Sequence, residues 1–183
     1  MLVLETPRLI LRTLTPQDLP LLLDFDRRNR EWLAPWEPLR DEDYLGEARV
    51  LSSIRADARS VRRGTGVRFH LFARGQSGRI LGSASLSNMV TGVFLSAHLG
   101  YRLDGQETGQ GLMGEAVGCV VDYAFEDLGL HRIEANVMPR NTASRHLLKR
   151  LGFEEEGLAR RYLKIAGAWE DHIHHVRFNR NLE

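Results

Sequence analysis

Gln106-Glu107-Thr108-Gly109-Gln110-Gly111 sets two glycines just ahead of a helix-like run. Without a Cβ, glycine lets the backbone approach a ligand closely. The helix start that follows offers unpaired N–H groups and the positive end of a dipole to an anion. The pattern predicts a ligand that carries phosphate, and two carriers compete. Gly109-x-Gly111-x-x-Gly114, with Glu134 further on, matches the dinucleotide fingerprint. In that fingerprint the glycine turn follows its strand directly. Here Asp104 to Thr108 intervene, and Glu134 lies inside an apolar-alternating run between Ile133 and Ala135. The second carrier is suggested by order. Gln106-x-x-Gly109-x-Gly111 is followed by one long helix, a strand, and then Asn141-x-x-Ser144. Asn141 and Ser144 share a face at a helix start, where Asn141 is a good N-cap for the amide near Ser144.

This ordered series resembles the acetyl-CoA site of the GNAT N-acetyltransferases. Glu5-Thr6-Pro7-Arg8-Leu9, Pro35-Trp36-Glu37-Pro38, Leu99-Gly100-Tyr101, Gly111-Leu112-Met113, His131-Arg132-Ile133, Leu151-Gly152-Phe153 with Glu156-Gly157, and Trp169 with Asp171-His172 extend the likeness over nearly the whole chain. Together they resemble the RimJ/RimL-type acetyltransferases, which modify the N-terminal amine of ribosomal proteins, with the alanine-directed, small-subunit branch the nearer match. The resemblance implies an α/β (α+β) GNAT fold: a mixed, mostly antiparallel twisted sheet flanked by helices, with splayed strands holding acetyl-CoA as cosubstrate. It implies acetyl transfer by direct attack in a ternary complex. Two other functions stay open: acetylation of a small-molecule amine, such as an antibiotic or amino acid, and non-catalytic CoA binding in an interaction protein.

The resemblance also distributes roles. The loop Gln106, Thr108, Gly109, Gln110 and Gly111 would hold the pyrophosphate, Leu99, Gly100 and Tyr101 would line the acyl arm, and Asn141 and Ser144 would touch the cofactor. Ser144 would donate a proton to the leaving sulfur. His98, Glu134 and Asp171 are the candidate bases. An α-amine has a pKa of about 7.7–8.0, so a modest base suffices. Some relatives carry an acidic residue just before the position of Tyr162; here it is Arg161. Trp32 and Trp36 would wall the acceptor pocket with Tyr162, and Glu37 would attract a positively charged N-terminus. Arg12 and Arg40 receive no role.

His172, His174 and His175 beside Asp171 invite a metal reading, but no cysteine or clear third ligand stands at a useful spacing, so no metal is expected. Asp171 and His172 read instead as a buried polar pair. Cys119, among Gly118, Val120 and Val121, reads as a small packed residue and not a nucleophile.

The elements that must position these residues read as follows. Leu2–Leu4 and Leu9–Leu11 suggest one edge strand broken at Thr6-Pro7. Thr15 to Phe25 and Glu42 to Arg59 read as helices, and Arg59 to Gly66 as a mobile loop. Val67 to Ala73, Arg79 to Leu86 and Ala97 to Leu103 read as strands. Gln110 to Asp127 is the principal helix, with Met113, Val117, Val120 and Ala124 on one stripe and Gly129 at its end. His131 to Val137 is a strand, Thr142 to Leu151 a helix, and Leu158 to Ile165 with Ala168 to Phe178 a final hairpin turning at Ala166-Gly167.

One domain spanning residues 1–183 is expected at this length. Lys and Arg total 25 against 24 Asp and Glu, a balance that argues against electrostatic nucleic-acid binding. No apolar run is long enough for a membrane span or a signal peptide core. A single cysteine cannot form an internal disulfide, which suits a cytoplasmic setting. The expected partner is a protein N-terminus, on a monomer or homodimer.

Overall fold

The computed structural model describes residues 1–182, with the side chain of Glu42 left aside. Strand β1 (Val3–Glu5) pairs antiparallel with β2 (Leu9–Arg12), Leu4 opposite Leu11. Pro7 therefore sits in the turn of a hairpin, closed by the Thr6 N–H on the Leu9 carbonyl at 3.0 Å, and does not interrupt a single strand. Helix α1 (Leu19–Arg28) follows a 3-10 turn at Pro16–Asp18. The Asp18 carboxylate accepts from the Thr15 N–H at 2.8 Å and the Thr15 hydroxyl at 3.0 Å. It also takes both arms of the Arg12 fork at 2.7 and 2.9 Å. Helix α2 (Arg30–Leu33) runs into a 3-10 turn at Ala34–Trp36. A further 3-10 turn at Glu42–Leu45 leads to α3 (Glu47–Arg63).

Strands β3 (Val67–Ala73), β4 (Gly82–Val90) and β5 (Ser96–Leu103) continue the sheet antiparallel. Helix α4 (Leu112–Glu126) then crosses to β6 (Arg132–Val137), which lies parallel to β5. A parallel neighbour needs such a helical crossover, since a short turn can only reverse the chain. Helix α5 (Thr142–Arg150) precedes the long hairpin of β7 (Glu154–Ile165) and β8 (Ala168–Phe178). The resulting eight-stranded sheet has the order β1-β2-β3-β4-β5-β6-β8-β7, and β5–β6 is the parallel contact in it.

Each sheet face has its own core. On one face α4 buries Leu112, Met113, Ala116, Val117, Val120, Val121 and Ala124 against Ala97, Leu99, Ile133 and Ala135. Val117, Val120 and Val121 are fully buried; each contributes about 1.5–3 kcal/mol by leaving water, and an aspartate at Val120 would unseat the helix. On the other face α1 and α3 bury Leu22, Leu23, Phe25, Val50 and Ile54 against Phe72 and Ile80.

Several expected boundaries move. The segment read as a mobile loop, Arg59 to Gly66, is mostly the end of α3, which runs to Arg63. Gly64, at φ +66°, ends it in the left-handed conformation, with its N–H on the Val61 carbonyl at 3.1 Å. Strand β7 begins at Glu154 and not Leu158, because its solvent-facing residues are glutamates that carry no apolar alternation. Asp171 and His172 do not pair. The Asp171 carboxylate accepts the Arg161 N–H at 2.8 Å, and the His172 Nδ1 hydrogen-bonds the Glu170 carbonyl at 3.0 Å.

Candidate active site

Strands β5 and β6 touch at Ser96–Arg132, Ala97–Ile133 and His98–Glu134, and then part. Beyond that point Leu99 to Leu103 pair with β4, while Ala135 to Val137 pair with β8. The split is lined by main chain on both sides, and strand parity sends side chains to opposite faces. Leu99 and Tyr101 turn toward α4 and the core. His98, Gly100 and Arg102 turn the other way, where Arg102 meets Asp26 of α1 at 2.9 Å and lies 5.0 Å from the Phe25 ring centroid.

At the wide end of the split stands the glycine loop. Gly109 and Gly111 both adopt the left-handed conformation, at φ +77° and +75°, which a side chain would strain. The first helical bond of α4 runs from the Glu115 N–H to the Gly111 carbonyl at 3.1 Å, so the amides of Leu112, Met113 and Gly114 point out of the helix end. The loop's polar side chains are paired within the protein. The Gln106 side-chain oxygen accepts from Arg79 at 2.9 Å, the Thr108 hydroxyl donates to the Gly105 carbonyl at 3.1 Å, and the Gln110 amide donates to Glu107 at 3.2 Å. Buried Asp104 anchors the loop by accepting the Gln106 N–H at 3.1 Å and ion-pairing with Arg28 and Arg79. Burial pushes its carboxyl up, but the Gln106 amide and the two arginines more than offset this and hold it below the ordinary range.

Arg8, given no role by its place in the sequence, belongs here. Its guanidinium donates to the Gln110 carbonyl at 2.9 Å and to Glu115 at 2.6 Å, setting a positive charge beside the glycines. Trp32, expected in the acceptor pocket, packs on this loop. Its indole lies against Gly105, where an added Cβ would come within 3.0 Å of the ring, and its N–H donates to the Leu103 carbonyl at 3.2 Å.

On the α4 face, the Tyr101 hydroxyl and the Ser144 hydroxyl lie 2.5 Å apart. Ser144 is placed by its own helix start: the Asn141 side-chain oxygen accepts the Ser144 N–H at 3.1 Å, the expected cap. Burial pushes the Tyr101 phenol up to about 12, the Ser144 contact opposing it.

On the opposite face Glu134 is a hub. Its carboxylate receives Arg132 at 2.9 Å and Asn136 at 3.0 Å, with His174 Nδ1 at 3.4 Å and His98 Nε2 at 3.7 Å. Burial raises its pKa, yet these donors and cations hold it below the usual glutamate value. The Tyr162 hydroxyl accepts from the same Asn136 amide at 3.2 Å, and its ring packs edge-on against His174. His174 therefore joins His98 and Glu134, a role that its place in the sequence did not reveal. Among the described residues no group of three or more His, Cys, Asp or Glu is placed to hold a metal.

Further along this face a cavity of about 180 Å³ is lined by Asp26, Asn29, Leu33, Glu37, Tyr44 and Arg102, among others. Glu37 is already paired, with Arg40 at 2.7 Å and Arg102 at 3.5 Å, so its charge is largely met within the protein. Arg40 thereby gains a partner that its sequence context left unassigned.

Residues 8–154 match the acetyltransferase (GNAT) domain family. The chain is 39% identical over 170 residues to the [ribosomal protein uS5]-alanine N-acetyltransferase of Escherichia coli (strain K12), covering 93% of this chain and 87% of that protein. It is 36% identical to a probable N-acetyltransferase of Bacillus subtilis (strain 168), over 93% of both chains. The fold superposes on the ribosomal-protein-S5-alanine acetyltransferase of Vibrio fischeri with a TM-score of 0.93 and 32% identity over both full chains. It superposes on Mycobacterium smegmatis RimJ, solved with CoA-disulfide, with a TM-score of 0.88 and 31% identity, covering 95% of this chain and 83% of that one. The chain belongs to the GNAT family and is an acetyl-CoA-dependent N-acetyltransferase.

Proposed function

We propose that this protein acetylates the α-amine of a protein N-terminus, its acceptor a small-subunit ribosomal protein that begins with alanine. The observation that carries the chemistry is the division of labour across the split. A hydroxyl pair, Tyr101 and Ser144, stands on one face, and an anionic, imidazole-rich cluster around Glu134 stands on the other. The acceptor assignment rests on the relatives, whose names specify ribosomal-protein alanine.

Acetyl-CoA supplies the thioester. Main-chain amides of Gly109 to Gly114 and the Arg8 guanidinium suit its pyrophosphate, and the parting of β5 from β6 leaves main-chain groups for its acyl arm. The remaining work falls to side chains. His98, backed by the Glu134 carboxylate, takes a proton from the acceptor ammonium, directly or through water. The freed nitrogen forms a bond to the acetyl carbon as the carbon–sulfur bond breaks, and it gives up its second proton to water. A backbone N–H between Leu99 and Tyr101 stabilises the charge that builds on the acetyl oxygen. Ser144 then gives its proton to the departing sulfur and is refilled through Tyr101, which passes on a proton from water as it hands its own to Ser144, so that both hydroxyls end protonated.

A lysine amine, with a pKa near 10.4, demands a stronger base than an α-amine. The test is a peptide pair: free N-terminal alanine without lysine, against the same peptide blocked at its N-terminus and carrying one lysine. Faster acetylation of the free alanine is expected. Faster acetylation of the blocked lysine peptide would overturn the reading, and turnover of a small amine alone would move the acceptor out of the protein class.

A further inference from the structure

The acceptor face and the hydroxyl pair belong to different parts of the chain, and something must hold them in register. The geometry points to Arg140 as the residue that positions the acceptor wall against the Ser144 helix; this rests on the acceptor reading above. Arg140 lies between β6 and α5 and directly precedes Asn141, the cap that holds Ser144. Its Nη2 donates to Glu170 of β8 at 3.0 Å, to the Pro35 carbonyl at 3.3 Å and to the Met138 sulfur at 3.5 Å. Its guanidinium carbon lies 5.2 Å from the Trp36 ring centroid. One side chain thus ties the turn at Ala34–Trp36, strand β8 and the start of α5.

The far end of the same wall is held separately. The Ala166 N–H at the β7–β8 tip donates to the Glu37 carbonyl at 2.9 Å, and Gly167, at φ +87°, sits so close to Leu39 that an added Cβ would be 3.0 Å from its methyl carbon. The wall residues 35–39 are therefore pinned at both ends, and Arg140 is the pin nearest the chemistry. Its planar fork can stack on an indole while donating sideways to a carbonyl and a carboxylate. A lysine ammonium has no such plane.

Arg140→Ala is expected to raise the KM for an N-terminal alanine peptide about tenfold, the scale of losing charged hydrogen bonds and a cation–π contact. The Kd for CoA should stay within about twofold, since the glycine loop is untouched. Backbone amides of Ala34, Trp36, Glu37 and Leu39 should exchange hydrogen faster in the CoA-bound protein, while those of α4 do not. Arg140→Lys should recover the melting temperature without recovering the peptide KM. Unchanged exchange at residues 34–39 together with an unchanged KM overturns the assignment. So does a fall in CoA affinity that tracks the melting temperature, which would make Arg140 a general scaffold residue. Exchange is read without acceptor. If wild type fails on the alanine peptide, the acceptor reading falls, and faster or unchanged exchange still decides for or against the pin.

Discussion

The Tyr101 and Ser144 hydroxyls meet at 2.5 Å from different elements, one on β5 and the other in the first turn of α5. Two hydroxyls in contact can relay a proton, Ser144 giving one outward while Tyr101 passes it a replacement taken from water.

Ser144→Ala should therefore lower kcat more than it weakens acetyl-CoA binding, because the proton matters mainly in the transition state. Loss of general-acid help is typically worth about 10²–10⁴-fold. Tyr101→Phe should show a smaller loss in the same direction. If steady-state kinetics show only a raised acetyl-CoA KM in Ser144→Ala, the hydroxyl positions the cofactor and does not act as an acid.

The Glu134 cluster predicts a pH signature. Glu134→Gln and His98→Gln should each reduce kcat/KM for an alanine peptide at pH 7. The deficit should shrink toward pH 9, where an α-amine of pKa about 7.7–8.0 is mostly neutral already. A deficit equally large at both pH values would show that these side chains do not take the acceptor's proton.

CoA affinity should depend on the loop backbone and on Arg8. Gly111→Glu forces a side chain into a left-handed residue, at φ +75°, and adds a negative charge near the phosphates. Isothermal titration should show CoA binding collapse while the far-UV spectrum is kept. Arg8→Gln, which breaks the contacts to Gln110 and Glu115, should weaken binding about tenfold and flatten its salt dependence. Wild-type affinity in both variants would remove this loop from the site.

Acid stability should carry the mark of Asp18. The Arg12 fork and the Thr15 donors, against the opposing effect of burial, hold its carboxyl at about 2, below its ordinary 3.8. A depressed carboxyl contributes stability that is full above the unfolded pKa and is lost as pH falls through the folded one. At neutral pH this amounts to about 2 kcal/mol. Urea midpoints of Asp18→Asn should lie below wild type at pH 7 and converge with it near pH 2. Parallel curves over that range would rule out the linkage.

Local periodicity and local turn chemistry were readable in the chain, and long-range pairing was not. The α4 stripe and the glycines before it announce themselves within a short window, and Asn141 caps Ser144 three residues on. Arg8 finds Glu115 across 107 residues, and Glu37 finds Arg102 across 65, so neither pairing leaves a local trace. Trp32 shows the same limit. Its aromatic type predicts a wall, but only tertiary placement sends it over Gly105. Arg59 to Arg63 mimic a loop by composition because the end of α3 carries exposed arginines that buried neighbours do not explain.

The parting of β5 from β6 makes the sheet two leaves, five strands and three, hinged on three residue pairs. A ligand lodged between the leaves meets main chain on either side, and main chain is the same whatever residues carry it. The donor seat is thereby insulated from sequence drift. In the proposed reading the acceptor wall, at residues 35–39, is built from side chains and from a hairpin tip that substitution can reshape. A lineage of such proteins can trade one acceptor for another while the acyl donor stays constant, each change confined to the leaf edges where the wall is pinned.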